Sequence, residues 1–221
     1  MNYSFTDRTG GLSTGAFLSR NLATHVGDDQ ATVLSNRAEL ETLLGVPIQF
    51  MNQVHGDAVA RVGVEIIAEP TADALVTQSP GIGLAVMVAD CIPLLLASSE
   101  TVAAVHVGRK GLMNEVALAA INEMRSRDNS EITAVVGPSI CGECYEVSQN
   151  IYDEVSKRFP LAASKTRDGG FSLDLSRALI DQLRGLEVRV VDEGRCTVEE
   201  SSLYSYRRDG VTGRQVGVVW L

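Results

Sequence analysis

No stretch of the sequence approaches the ~18 consecutive apolar residues that a transmembrane helix needs, so a membrane span is not expected. Basic residues are in the minority, with 19 Lys and Arg against 28 Asp and Glu and a net charge of −9. That balance argues against a broad nucleic-acid surface but leaves room for a local basic pocket. The opening residues MNYSFTDRTGG lack the basic-then-apolar order of a signal peptide, so a cytoplasmic protein is expected. Cysteine is scarce, with four in the chain. Without an export signal these are expected as reduced thiols rather than a disulfide framework. Aromatic residues make up 5% of the chain, and the five tyrosines form no stacking pattern. Repeats, low-complexity tracts and evident linkers are also missing. The 221 residues, 45% of them hydrophobic, are enough for one large domain or two small ones.

The periodic segments mix strands and helices. A helix is expected from about Ala31 to Leu44, capped by Asp28 or Asp29 and ended by Gly45-Val46-Pro47. IQFMNQVHG, DAVARVGVEI, GIGLAVMVA, IPLLLAS, TVAAVHVG, ITAVVGP, LEVRVVDEG and RQVGVVWL have strand character. GLMNEVALAAINEMRSR, YEVSQNIYDEVSKRF and DLSRALIDQLRGL have helical character. Strands come in groups rather than in strict βαβ alternation. The expected class is an α/β (α+β) sandwich with mixed β-sheets flanked by helices.

Within the apolar run VMVADCIPLLL, an acid and a thiol interrupt what should be buried strand. Pro93 has no N–H and is a poor fit inside a central strand, so the run divides at Asp90-Cys91. Cys91 then lies at a strand end. Two of the three histidines, His55 and His106, also lie at expected strand ends just before glycines. Two imidazoles and a thiolate suit Zn²⁺ or copper, and three protein ligands leave a position open for water or substrate, as in catalytic sites. The spacing matches no zinc-finger signature. Cys91 as a small buried hydrophobe, or as a nucleophile with His106 as its base, are the alternatives. After His106, the turn carrying Arg109 and Lys110 leads into a helix start that favours an anion. Arg37 falls on the apolar stripe of the first helix, where its fork needs a phosphate, a carboxylate or an internal acidic partner.

Together the segments TDRTGGLSTGAF, NLATHVGDD with NRAEL, NQVHG, ADALVT, ADCIPLLL, AVHVGRKGL, VVGPSICGECYEV, LDL and YSYRRDGVTGR resemble the laccase-domain (YfiH/PgeF-like) family, also described as multicopper polyphenol oxidoreductases or purine nucleoside phosphorylases. They run from residue 6 to about 214. The ordered combination QVHG, ADCIP and AVHVG carries the specificity. The resemblance implies a YfiH-like α/β sandwich of mixed sheets, and with it the expectation of a single domain, 1–221. It implies His55, Cys91 and His106 as metal ligands and Arg37 in the substrate or phosphate pocket. It also implies a zinc-dependent enzyme that phosphorolyses adenosine, inosine and methylthioadenosine and deaminates adenosine. Its partners would then be a small-molecule nucleoside and phosphate. Copper-linked phenol oxidation, peptidoglycan-precursor editing and a non-catalytic metal- or nucleoside-binding module are the rivals.

Two departures from the family pattern bear on substrate preference. HVGRKG stands where HAGWRG is usual, and Ser205-Tyr206-Arg207-Arg208 where SHRR is usual. Asp90 is the candidate proton carrier if the chain turns at Cys91. SYRRDG is expected as a solvated turn from which Arg207 could still line the site, and His25 is expected as a capped loop residue or a support to the ligands. Cys141-Gly142-Glu143-Cys144 has the spacing of a thiol-redox pair. A buried or incidental pair is the favoured reading of these two thiols, and a structural zinc formed by Cys141, Cys144 and Cys196 is a further alternative.

Overall fold

The computed structural model describes residues 1–221. In chain order its strands are β1 (Asn2–Phe5), β2 (Ile48–Gln49), β3 (Val59–Arg61), β4 (Ala74–Thr77), β5 (Gly83–Val88), β6 (Ile92–Ala97), β7 (Val102–Val107), β8 (Thr133–Val136), β9 (Ala163–Lys165), β10 (Phe171–Leu173), β11 (Arg189–Asp192) and β12 (Gln215–Trp220). The α-helices are α1 (Gln30–Leu44), α2 (Arg109–Met113), α3 (Val116–Arg125), α4 (Gln149–Arg158), α5 (Leu175–Gly185) and α6 (Tyr206–Asp209).

Two mixed sheets stack face to face. One has the order β1-β12-β5-β2, the other β11-β8-β6-β7-β4-β3, and β9-β10 forms a separate hairpin. Leu84, Val86 and Val88 of β5 meet Leu95 of β6, Val102 and Ala104 of β7 and Leu75 of β4 between the sheets. The far face of the six-stranded sheet, with Leu94, Leu96 and Val105, is covered by α3 and α5. The far face of the four-stranded sheet, with Ala85, Met87 and Val218, is covered by Leu40 of α1 and by Phe50. The result is four layers, helix–sheet–sheet–helix, in agreement with the expected mixed-sheet sandwich. Strands β5, β6 and β7 are buried on both faces, which is why they appear in the sequence as unbroken apolar runs.

The first helix matches its signals. Asp29 caps it by accepting from the Thr32 N–H, and Gly45 ends it in the left-handed region at φ 72°. Elsewhere the structure differs from expectation. The strand IQFMNQVHG shrinks to two residues, and His55 lies in a loop with φ 61°. The helix after Gly108 divides at Asn114-Glu115, where Glu115 has φ 60° and pairs with Arg158 of α4 at 3.0 Å. Pro93 does sit inside a central strand, as the second residue of β6. Its carbonyl accepts from the Gly137 N–H at 3.0 Å, one residue outside the pairing with β8 that starts at Leu94, so the missing N–H falls at the end of that ladder.

The interrupted run now has a structural reason. β5 belongs to the four-stranded sheet and β6 to the six-stranded one. Asp90-Cys91 is the point where the chain steps from one sheet to the other, with Asp90 in the left-handed region at φ 97°.

Candidate metal centre and its cavity

Asp73, immediately before β4, is fully buried. Its carboxylate accepts from the backbone N–H groups of Val54 (3.2 Å), His55 (2.9 Å) and Gly56 (2.6 Å), and from His106 Nδ1 at 2.8 Å. One acid therefore holds the His55 loop in its left-handed turn and fixes the His106 ring with Nε2 free. Burial pushes this carboxyl up, but the His106 bond and the loop N–H groups outweigh it and bring it to about 2.

The three expected ligands converge. Ligand atoms of His55, Cys91 and His106 all lie within 4.8 Å of one another. Cys91 Sγ is 3.9 Å from His55 Nε2, and the two imidazoles meet edge to face with centroids 4.7 Å apart. Burial opposes charge on the Cys91 thiol, yet the neighbouring His106 and hydrogen bonds from both imidazoles pull it well below the ordinary thiol range. His106 is raised, because the Cys91 thiolate and Asp73 outweigh its desolvation. Such a thiolate–imidazolium contact is one that a divalent cation replaces directly. The packing leaves little else beside these atoms. A Cβ at Gly108 would lie 2.9 Å from Cys91 Sγ and 3.2 Å from His55 Cδ2. Donor chemistry, convergence and the second-layer carboxylate all fit a metal held by His55, Cys91 and His106, with Zn²⁺ and copper both compatible with the set.

Beside these ligands lies a cavity of about 420 Å³. Met87, Val88 and Ile140 form apolar wall, Tyr145 and Tyr206 add aromatic surface, and Arg207 and Arg214 bring positive charge. Arg214 spends Nη1 on the carbonyls of Thr212 and Gly213 (3.0 and 2.9 Å). Burial lowers its pKa. Arg207 stacks over Tyr145 at 5.2 Å and bonds the carbonyls of Cys144 and Glu146. Gln53 closes another side by exchanging both amide hydrogen bonds with the Met87 backbone at 2.8 Å, as a strand partner would. His25 also lines the cavity, with its pKa lowered by burial and by Arg214.

Asp90 faces this cavity because the chain turns there. It accepts from Thr197 Oγ1 (2.6 Å), Ser205 Oγ (2.7 Å) and the Arg207 N–H (2.6 Å). The three cations expected to bind phosphate are not among the residues lining this cavity. Arg37 is buried behind the wall, bonded to the Glu69 carboxylate (2.6 Å) and the Leu22 carbonyl (2.8 Å) and stacked 3.7 Å over Phe50, so its acceptor is an internal acid. Arg109 opens α2 near Tyr145, and Lys110 points to solvent. Sequence reasoning missed Asp73, Gln53 and Arg214. Asp73 carried one signal, a lone acid opening the apolar run ADALV.

A two-histidine, one-cysteine centre at the open end of a mixed-sheet sandwich defines the class. The chain belongs to the multi-copper polyphenol oxidoreductase laccase family, whose model matches residues 2–221. It is 39% identical to a purine nucleoside phosphorylase of Corynebacterium glutamicum, over 98% of this chain and 93% of that protein. It is 41% identical to a purine nucleoside phosphorylase of Streptomyces coelicolor, over 100% and 95%. The crystal structure of a Neisseria meningitidis protein superimposes with a TM-score of 0.91 at 35% identity, covering 99% of this chain and 93% of the other. No helix is long and apolar enough to cross a membrane.

Proposed function

We propose that this protein is a zinc-dependent purine nucleoside phosphorylase that cleaves adenosine, inosine and methylthioadenosine with inorganic phosphate and also deaminates adenosine. The observation that carries the proposal is the meeting of His55, Cys91 and His106 at the wall of a cavity that also holds an arginine with uncommitted nitrogens, Arg214. The names of the Corynebacterium and Streptomyces relatives point the same way. Zinc held by these three side chains would supply a Lewis acid with an open coordination position.

The chain's own residues supply the rest. Nε and Nη2 of Arg214 hold the phosphate in the fork geometry that guanidinium offers an oxyanion. Tyr145 and Tyr206 pack the flat base against Val88 and Ile140. In phosphorolysis a phosphate oxygen bonds the anomeric carbon as the bond to the base nitrogen breaks, and the base leaves with a proton. In deamination a water oxygen replaces the amino group and ammonia departs. Asp90 Oδ2, which accepts only the Arg207 N–H, is the atom that carries the proton. Arg109 screens charge at the rim through Tyr145, with Lys110 further out, and Arg37 braces the wall behind Met87.

The test is turnover by purified protein with and without phosphate. Adenosine plus phosphate should yield adenine and ribose 1-phosphate, and adenosine alone should yield inosine and ammonia. His55→Ala should lose the zinc of this centre and both reactions. Full phosphorolysis by the metal-free variant would refute the assignment. Arg214→Met should raise the KM for phosphate about 10- to 100-fold, the worth of a charge-assisted bond.

The order Asp73–His106–Cys91 favours a second possibility, a cysteine nucleophile with an oriented base. Alkylation would then stop the enzyme and chelators would not. Copper loading followed by a catechol assay tests the phenol-oxidase activity that the family description names.

A further inference from the structure

Across the Asp90 turn from the first centre, where Ile140 and Thr197 bond Asp90, three more sulfurs come together. Cys141 and Cys144 sit on the turn after β8, and Cys196 follows β11. Their ligand atoms lie within 4.8 Å of one another. We propose that Cys141, Cys144 and Cys196 form a second, structural metal site that takes Zn²⁺ through three thiolates and is independent of the His55–Cys91–His106 centre.

The argument begins with how the turn is built. The N–H groups of Cys144 and Tyr145 both donate to the Cys141 carbonyl, at 3.1 and 3.0 Å, so the two cysteines share one tight turn. The Cys141 N–H donates to Cys196 Sγ at 3.4 Å, which places a backbone dipole on the sulfur where a thiolate would carry charge. Cys196 is brought in by pairing of its own segment, with the Ser139 N–H donating to the Arg195 carbonyl and the Thr197 N–H to the Ser139 carbonyl, each at 3.1 Å. Gly142 lets the turn press inward, since a Cβ there would lie 2.8 Å from both Asp174 Cβ and Ser164 Oγ. Three sulfurs from segments about fifty residues apart are thus delivered by backbone, not by chance rotamers. All three cysteines are free, and Cys196 is buried.

Chemistry favours a cation over a disulfide. A disulfide would use two of the sulfurs and strand the third. A tetrahedral zinc with bonds of about 2.3 Å uses all three at edges of roughly 3.8 Å. Glu199 lies beside the cluster, with its Oε1 3.8 Å from Cys144 Sγ. Glu199 and Glu143 are both held there by Arg167.

Such an ion would brace the cavity. The Cys144 carbonyl holds Arg207, and Thr197, next to Cys196, donates to Asp90. The two segments it clamps carry Tyr145, Tyr206 and Arg207 to the cavity wall.

The experiment is zinc titration of reduced, chelator-stripped full-length protein against a chromophoric competitor. Wild type should take up two equivalents and Cys91→Ala one. Cys91→Ala/Cys196→Ser and Cys91→Ala/Cys144→Ser should take up none; Cys144 is only half-buried, so the latter pair covers a folding failure of the former. Cobalt in Cys91→Ala should give a thiolate charge-transfer band that both double variants lack. The proposal is overturned if Cys91→Ala binds no zinc, or if its zinc persists in a folded double variant. It is equally overturned if the native protein carries a Cys141–Cys144 disulfide and takes up no zinc once reduced. None of these outcomes depends on nucleoside turnover, so this site and the proposed activity stand or fall separately.

Discussion

Asp73 is where two separate pieces of chain, the 54–56 loop and β7, are tied to one carboxylate. It orients His106, shapes the His55 turn and is itself beyond the reach of solvent. Asp73→Asn keeps the size but substitutes an amide nitrogen for one acceptor oxygen, which then faces an N–H instead of receiving it. Loss of such a supporting partner typically costs 10–100-fold in metal affinity. Competition titration of the variant should show a loss of about that size, with His55, Cys91 and His106 all in place. Retention of wild-type affinity would remove Asp73 from the account. The protonation of the ligands adds a pH dependence of known sign. In the metal-free centre the Cys91 thiol is lowered and His106 is raised, so through the neutral range the pair holds one proton, on His106. Zinc must expel that proton. Apparent zinc affinity should therefore rise with pH, about tenfold per unit for each proton displaced, and flatten once His106 titrates. An affinity that is flat or falling through neutrality would contradict this charge state.

Elements bring these residues together by where they stop. Cys91 precedes β6, His106 is the penultimate residue of β7, and Gly108 caps α2 directly behind Cys91 and His55. Gly108→Ala puts a methyl 2.9 Å from Cys91 Sγ. That backbone has φ −89°, so alanine adopts it without strain and the fold should survive. The expected result is a cooperative melt close to that of zinc-stripped wild type with metal uptake at this centre lost, read by thermal denaturation beside metal analysis. Much of this framework is legible in the sequence, for specific reasons. β5, β6 and β7 are buried on both faces, and α1 has its Asp29 and Gly45 caps. The convergence of His55, Cys91 and His106 is legible because soft donors are rare in this chain. Short elements whose pattern comes from their neighbours escape notice. β1 and β4 have four residues each, and β9 and β10 three. The left-handed turns at His55 and Glu115 follow from tertiary partners, Asp73 and Arg158, and no local pattern announces them. Arg214 is hidden for the same reason, since only the fold brings residues 25, 53, 90 and 214 to one cavity.

At the scale of the molecule, the centre spans the open end of the sandwich. Cys91 lies on the crossover between the two sheets, His106 belongs to the six-stranded sheet, and His55 lies on the loop leaving β2 of the four-stranded one. A cation held by all three therefore cross-links both layers as well as serving the cavity. Ligand that binds only the folded state at a hundred times its dissociation constant adds about 2.7 kcal/mol. For a chain of this length each kcal/mol shifts the melting temperature by about 2–4 °C. Removing zinc from this centre should lower Tm by roughly 5–11 °C, and restoring zinc should reverse the change. In Cys91→Ala, zinc should no longer produce that part of the shift, leaving only what the three-thiol cluster contributes. Calorimetry of stripped and reloaded protein reads both. A melting temperature indifferent to zinc in the wild type would mean that the two sheets are not joined through these ligands.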